Sequence, residues 1–448
     1  MISLLRNIIK NLYIHSRFYY FGIGVIVIFL VSFFLPFVFL PAQLLLFVLL
    51  IFTLCDIIIL FNTNTGIYAE RILAGKLSNG DENQIKIKIS NYYRFTIHAE
   101  IIDEIPQEFQ IRDFFIETKL LASEVNIIPY YLRPTFRGVI NFGKIHIYAM
   151  SPIRLVKRRF SLGSNENVPV YPSVIQMRKY ELAAFTNKLL NHGYKKVRKL
   201  GHTMEFEKIK EYVPGDDFRT VNWKATSKSN RLMVNQYQDE RSQSVYCIID
   251  KGRLMKMPFE GLSLLDYAIN TCLIICNIVI RKQDYAGFFC FSRKVENKVV
   301  ADRRGGQLER IMEALYNVRT DYFESDYGRL YTEVKKNISH RSLLLLFTNF
   351  ETMDSLQRQI SYLKAMAKSH LLIIIIFQNT ELESLIHTPA DGIQEIYDKI
   401  IAEKFGFEKK LIVSELKKYG IQCILTKPEN LTIDALNKYL EIKARGMM

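Results

Sequence analysis

The chain has a single tryptophan, and its six cysteines are scattered over 448 residues without a CxxC pair. That usage excludes a disulfide scaffold, a zinc ribbon and a thioredoxin-type redox site. No GxxxxGK[ST] loop is present; Arg303-Arg304-Gly305-Gly306 carries glycines but not the phosphate-cradling pattern. Acidic charge is in the minority, with 45 Asp and Glu against 60 Lys and Arg, a formal charge of +15. Hydrophobic residues make up 49% of the chain, which excludes a disordered or collagen-like protein. The length points to about two to four domains.

Two long apolar runs stand near the start. Phe18 to Leu35 is almost wholly apolar, and Ala42 to Leu60 is broken only by Gln43, Thr53 and Asp56. Each approaches the roughly 20 residues needed to cross a bilayer. Pro36 and Pro41 lie between them and suit a sharp break. Residues 1–61 thus read as a transmembrane hairpin with helices about 18–35 and 42–60. A cleaved signal peptide would need a small-residue site after the first run, where Phe37-Val38-Phe39-Leu40 stands instead. Arg6, Lys10 and Arg17 precede the hairpin, Arg71 and Lys76 follow it, and its turn is uncharged. The positive-inside rule then places both ends, and the globular remainder, in the cytoplasm. Asp56 either reaches the interface from its helix or is an intramembrane acid.

From Ile85 the periodicity changes. Ile85-Lys86-Ile87-Lys88-Ile89 alternates as a half-buried strand does, and similar segments follow at 95–102, 126–132 and 144–149. Pro106, Pro129, Pro134, Gly138 and Gly143 punctuate them, so residues 66–160 read as a small β-sandwich. His98 and His146 fall in alternating strands and read as surface or packing residues. Two basic stretches, Lys157-Arg158-Arg159 and Lys195-Lys196-Val197-Arg198-Lys199, are either solvated faces or contacts for anionic lipid or protein. No motif of a nucleic-acid reader accompanies them.

Residues 161–243 read as a linker that carries a distinctive run, Glu211-Tyr212-Val213-Pro214-Gly215-Asp216-Asp217-Phe218-Arg219-Thr220-Val221-Asn222-Trp223-Lys224-Ala225-Thr226. Pro-Gly is a turn pair, and an Asp after it can cap a helix. A helix from about Phe218 to Ser227 would bring Arg219 and Trp223, four apart, onto one face with the guanidinium on the indole. Two readings stay open. Asp216, Asp217, Arg219, Trp223 and Lys224 form a recognition surface, or the carboxylates cap and pair in a structural clasp. Adjacent aspartates match poorly the opposed carboxylates of a hydrolase.

That run, with Arg231-Leu232-Met233-Val234 and Glu240-Arg241 after it, resembles the signature of the bacterial family known as domain of unknown function 58. Leu132-Arg133-Pro134, Arg137-Gly138, Phe142-Gly143 and Ser151-Pro152-Ile153-Arg154-Leu155 match its sandwich segment. The resemblance covers nearly the whole chain. It implies a two-helix anchor in the bacterial inner membrane. It also implies partnership with a MoxR-type AAA+ ATPase and other proteins bearing von Willebrand factor A domains.

Residues 244–448 alternate strands and helices. Leu343–Thr348 and Leu371–Phe377 are continuous apolar runs suited to parallel strands buried on both faces. The order gives an α/β doubly wound sheet, and a von Willebrand factor A-like domain fits it. Ligands of such sheets lie at the carboxyl ends of the strands, where Asp250 falls. A metal-adhesion site of that class resembles D-x-S-x-S plus a threonine and a second acid, hard oxygens around a divalent ion. Here Asp250-Lys251-Gly252-Arg253-Leu254 lacks both serines, and Asn349 stands where an acid is typical. Asp250 is the only clear remnant, so neither a metal nor a magnesium cofactor is expected. Arg253 or Lys251 is expected to supply the positive charge, with helix capping by Asp250 as the plain alternative. Cys247, Cys272, Cys276 and Cys290 read as buried small hydrophobes.

No catalytic residues emerge. The leading expectation is a membrane-anchored interaction or adaptor protein working with an ATPase on envelope or other complexes. The alternatives are a metal-dependent adhesion module, an uncharacterised enzyme, and a lipid or nucleic-acid binder.

Overall fold

The two apolar runs form helices in a computed structural model that describes residues 8–63, 65–185, 205–214, 216–238, 242–387 and 392–446. The basic stretch 195–199, Gly215 and the pair Glu240-Arg241 lie outside the described residues. The chain divides into two units, Met1–Tyr171 and Pro172–Met448.

In the first unit, helix α1 is Ser16–Phe34 and helix α2 is Phe39–Phe61, joined by a turn at Pro36–Val38. Both are apolar all round and expose most of that surface, as lipid-facing helices do. Pro41 sits inside the first turn of α2 rather than in the break. It is tolerated there because the first N–H groups of a helix have no intrahelical partner. A third helix, Leu264–Arg281, is also long and apolar, but it is packed inside the second unit.

The strands of this unit are β1 Leu12–Ile14, β2 Ile67–Ile72, β3 Leu77–Ser78, β4 Asn83–Asn91, β5 Ile97–Asp103, β6 Ile116–Leu120, β7 Val125–Leu132, β8 Gly138–Phe142, β9 Ile145–Met150, β10 Val156–Leu162 and β11 Glu166–Tyr171. They form sheets ordered β1-β10-β9-β5-β6, β2-β4-β7 and β3-β11-β8. In β4 the alternation predicted at 85–89 is realised, with Ile85, Ile87 and Ile89 buried and the lysines exposed. The strands reach beyond residues 66–160 at both ends. β1 lies ahead of the hairpin and pairs with β10, and β11 runs to Tyr171. Three residues are too few to show a period of two, which is why β1 is silent in the sequence.

The helices are joined to the sheets by buried polar contacts. Asp56, fully buried, accepts hydrogen bonds from the N–H groups of Leu155 (2.9 Å) and Val156 (3.0 Å). It is thus held inside the protein by the chain's own N–H groups. The carbonyl of Leu60, at the C-terminal end of α2, accepts from Arg158 Nη1 at 2.6 Å and Tyr93 Oη at 2.7 Å. Arg158 also reaches the carbonyl of Thr63 and lies between the rings of Phe61 and Phe160. The 157–159 stretch is therefore not a basic face: Arg158 is buried, and Lys157 pairs with Glu100 at 2.6 Å. A hydrogen-bonding period of two turned only the middle residue inward, a choice composition cannot reveal.

The second unit contains α3 Val174–Phe185, β12 Glu205–Glu211, α4 Trp223–Ser229, β13 Met233–Gln238, β14 Ser244–Asp250, the small hairpin β15 Pro258–Phe259 and β16 Leu262–Ser263, α5 Leu264–Arg281, β17 Tyr285–Phe291 and β18 Val295–Asp302. It continues through α6 Gln307–Tyr316, α7 Tyr327–Asn337, β19 Leu343–Thr348, α8 Met353–Ser369, β20 Leu371–Phe377, α9 Thr380–His387, α10 Ile393–Lys418, β21 Gln422–Thr426 and α11 Leu431–Arg445. The main sheet is ordered β18-β17-β14-β19-β20-β21, parallel except for the antiparallel edge strand β18. Val245, Cys247 and Ile249 of β14 face a core built with α5, α6 and α11. Tyr246 and Ile248 face a second core built with α7, α8 and α10. Burial on both faces explains the unbroken apolar runs. α3 belongs with this unit: Glu181 accepts from Asn277 at 2.9 Å and pairs with Arg281 at 2.8 Å.

In the first unit Arg71 and Asp103 form a fully buried pair, with Arg71 Nε donating to Asp103 at 3.0 Å and Tyr130 Oη donating to the same carboxylate. Removing one partner strands the other charge in a dry site. Asp103→Ala is therefore expected to destabilise the first unit by about 3–5 kcal/mol. Urea denaturation of the full chain in detergent, read by hydrogen exchange of the 67–162 amides, measures it, and unchanged protection would contradict it.

Candidate functional site

In the main sheet the chain leaves β14 toward β17 and leaves β19 toward β20, so the strand order reverses between β14 and β19. A crevice opens at such a switch point, outside the carboxyl ends of the strands. Asp250 ends β14 and Thr348 ends β19. The Asp250 carboxylate is fully buried and accepts hydrogen bonds from Gly252 N (2.8 Å), Thr348 Oγ1 (2.7 Å), Tyr327 Oη (3.5 Å) and Ser325 Oγ. Burial pushes its carboxyl above the usual range, and these donors only partly offset the shift. Burial and the neighbouring Asp250 likewise push the Tyr327 hydroxyl up.

Neither expected cation pairs with Asp250. Lys251 Nζ turns to Glu296 (2.7 Å) and Asp321 (3.5 Å). Arg253 is exposed, and its contact inward is a backbone one, from its N–H to the carbonyl of Phe323 at 3.0 Å. Hydroxyls take the place of a cation. Ser325 comes from the loop before α7, and a Cβ placed on Gly252 would lie 2.3 Å from its Oγ. The glycine thus leaves room for a hydroxyl that arrives from 73 residues further along the chain (325 − 252). The sequence offered one signal for this, a threonine ending the strand beside β14; nothing marked Ser325 or Tyr327. Arg253, Glu324, Glu351 and Arg358 rim the small crevice, which encloses about 170 Å³.

Next to it lies a cavity of about 720 Å³ with an apolar lining that includes Phe259, Phe377, Ile386 and Leu425. Lys409 of α10 enters it and donates to the carbonyl of Phe350 at 2.5 Å and to Asn349 Oδ1. Burial lowers its ammonium pKa to about 8. Asn349, at the position where an acid would suit a metal, is therefore the acceptor of a lysine.

The signature run is a separate feature. β12 and β13 form an antiparallel hairpin carrying α4 at its end. Asp216 accepts from Lys210 Nζ at 2.8 Å and from Val213 N at 3.0 Å, and Lys210 holds its carboxyl below the usual range. Asp217 accepts from Arg219 N at 3.0 Å and caps a single turn, Phe218–Thr220. The expected helix 218–227 is broken at Val221, which is extended, and α4 starts afresh under an Asn222 cap bonded to Ala225 N at 3.0 Å. The break separates Arg219 from Trp223, so no cation–π contact joins them. Instead Phe218 meets Trp223 edge-on at 6.2 Å, and Phe218 and Trp223 are 60% and 64% exposed. Arg219 and Lys224 project from the same tip with no ion pair among the described residues. Among the described residues no hydrogen bond or ion pair joins this tip to Asp250.

Cys247, Cys272 and Cys276 are the one group among the described residues with three metal-ligating atoms close together. Their sulfurs lie 3.9 and 4.0 Å apart along the set, fully inside the apolar core. Among the described residues no fourth donor joins them, and packing accounts for them.

Because the folded pKa of Asp250 is raised, its contribution to stability is full below its unfolded value near 4 and is lost as pH rises through the folded value. Asparagine does not titrate. Asp250→Asn is thus expected to gain on the wild type as pH rises from about 4 to about 8. Urea midpoints of both full chains across that range measure the difference; an Asp250→Asn midpoint that falls relative to the wild type's as pH rises would contradict it.

No curated protein matches the chain. Among solved structures it is similar to proximal thread matrix protein 1 of the mussel byssus, at 10% identity over 46% of this chain and 48% of that one, with a TM-score of 0.28. The chain thus spans about half the length of that protein. The pilus adhesin SpaC from Lactobacillus rhamnosus GG is similar at 11% identity over 46% of this chain and 30% of that one, with a TM-score of 0.31. The CARDB domain of a Pyrococcus furiosus protein is similar at 10% identity over 23% of this chain and 91% of that one, with a TM-score of 0.16. At TM-scores this low none of these likenesses bears on fold or function. Residues 208–412, from the signature hairpin into α10, match the family model described as Protein of unknown function DUF58.

Proposed function

We propose that this chain is a membrane-anchored interaction protein. In this reading α1 and α2 cross the bilayer as a hairpin, with the globular units on the cytoplasmic side of a bacterial inner membrane. Lys10 and Arg17 before it, Arg71 and Lys76 after it, and the uncharged turn support that orientation. The sheet order, with one antiparallel edge strand, supports a von Willebrand factor A-like fold for the second unit. A MoxR-type AAA+ ATPase is the partner that the family resemblance favours.

The observation that carries the reading is the exposed tip at Phe218, Arg219, Trp223 and Lys224. Its carboxylates Asp216 and Asp217 are spent on local bonds, while its aromatic and cationic groups face solvent. Aromatic residues and arginine are the usual energetic centres of protein interfaces. Chemistry finds less support. His146 reaches Ser161 at 3.0 Å and Glu104 at 2.7 Å, but Ser161 and His146 are direct cross-strand partners on β10 and β9, and Ser161 is exposed there. A polar cross-strand pair accounts for that arrangement.

The oxygens of Asp250, Ser325 and Thr348 favour a second reading, a divalent-ion adhesion site. The donor set fits it poorly. Ser325 and Thr348 both donate to the carboxylate, Gly252 offers no side chain, and Asn349 is taken by Lys409. A hard divalent ion asks for at least six oxygens.

Tagged protein extracted from its native membrane in mild detergent is expected to carry an AAA+ ATPase in one nucleotide state. Arg219→Ala combined with Trp223→Ala should release it without unfolding the chain. Recovery of the protein alone with and without ATP would overturn the adaptor reading. Saturable magnesium binding that Asp250→Ala removes would move the second reading ahead of it.

A further inference from the structure

A cavity of about 290 Å³ lies where α1 leaves the strand unit. It is lined by His15, His98, Glu100, Glu117, Lys119 and Arg154. His15 is the N-cap of α1, so the cavity sits at the residue where the apolar helix begins. The loop 151–155 carries Arg154 and is fixed at its far end: Leu155 N and Val156 N donate to Asp56 of α2, and the Leu155 carbonyl accepts from His15 N at 3.0 Å. Both helices of the hairpin therefore hold this loop in place. Arg154 has φ +58°, a left-handed backbone that a non-glycine residue adopts only where the surroundings enforce it.

The charges here are unbalanced. Arg154 Nη2 meets the ring nitrogen of His98 and pairs with no carboxylate. Arg17, Arg154 and Lys119 form no ion pair among the described residues. Their charges converge on His98, which burial and then Arg154, Lys119 and Arg17 push below the usual histidine range. Burial and then Lys157 lower His15 in the same way, with Arg17 and Arg154 adding to the shift and Glu100 opposing it. Of the two acids, Glu100 is already bound to Lys157 by both oxygens at 2.6 Å. That leaves Glu117 against three unpaired cations.

We propose that this cavity binds the phosphate of an anionic phospholipid headgroup, held by Arg154 and Lys119 at the foot of α1. The proposal rests on the membrane reading of the hairpin given above. A guanidinium and an ammonium with free N–H donors match phosphate oxygens. The start of an apolar helix puts them at headgroup depth, where a basic pocket beside a spanning helix selects anionic lipid. A bound phosphate would neutralise the cations that converge on the two histidine rings.

The test uses the full chain in neutral detergent, with native mass spectrometry reading bound dioleoyl phosphatidylglycerol. One tightly retained lipid per chain is expected, and Arg154→Met with Lys119→Met should weaken it about tenfold or more. Lys119→Glu, on the exposed edge of β6, tests the same charge without touching the loop, should the double variant unfold. Equal retention by folded wild type and folded variants would overturn the site, as would equally tight dioleoyl phosphatidylcholine. Glycerol 3-phosphate or inorganic phosphate binding as tightly as the lipid would assign the cavity to a soluble phosphate and overturn the lipid. Alkaline washing of the membranes separates the two readings. Protein that washes off defeats the hairpin, whereas protein that stays but retains no phosphatidylglycerol defeats only the cavity.

Discussion

A carboxylate taken out of water must be met by donors or lose its charge, and this chain is assembled around places where that condition is met. Asp56 takes two backbone N–H groups and so joins an apolar helix to the loop before β10. Asp103 takes Arg71 and Tyr130 and draws β2, β5 and β7 over one core. Asp284 takes Tyr439, Lys443 and the N–H of Gln243, which fastens the last helix to the start of the sheet. Asp250 takes three hydroxyls and an N–H at the mouth of the parallel strands. Only the Asp103 and Asp284 sites include a cation, and only those two are ion pairs.

The same rule marks what could be read from the sequence. Periodicity depends on neighbours in the chain, so the apolar helices, the alternation at Ile85–Ile89 and the two-sided runs at 343–348 and 371–377 were legible. The position of Asp250 was legible too, because strand ends follow from strands. Its partners were not: Ser325 and Tyr327 lie 75 and 77 residues away, and only the folded chain brings them near. Arg158 misled for a related reason. Three consecutive basic residues look alike in composition, but a strand turns the middle one to the opposite face from its neighbours. The helix expected at 218–227 failed locally, since Asn222 competes as a cap and restarts the helix one residue after Val221.

The two candidate surfaces differ in kind. At Asp250 every polar atom on the carboxylate is engaged, which suits a rigid wall more than a reactive group. The tip at Phe218 and Trp223 leaves large apolar rings in solvent beside the exposed Arg219. Exposed aromatic surface is unfavourable in isolation and becomes favourable once covered. That asymmetry is why the adaptor reading places its contact on the hairpin and not in the crevice.

The pairing of β1 with β10 has a mechanical side. His15 at one end of the hairpin and Leu60 at the other are both bonded to the same stretch, Leu155–Arg158. A unit hung from one helix by a loop could swivel freely; one bolted at two points cannot. Any sideways pull on the strands must therefore move both helices together, as a lever does, rather than being lost in a joint.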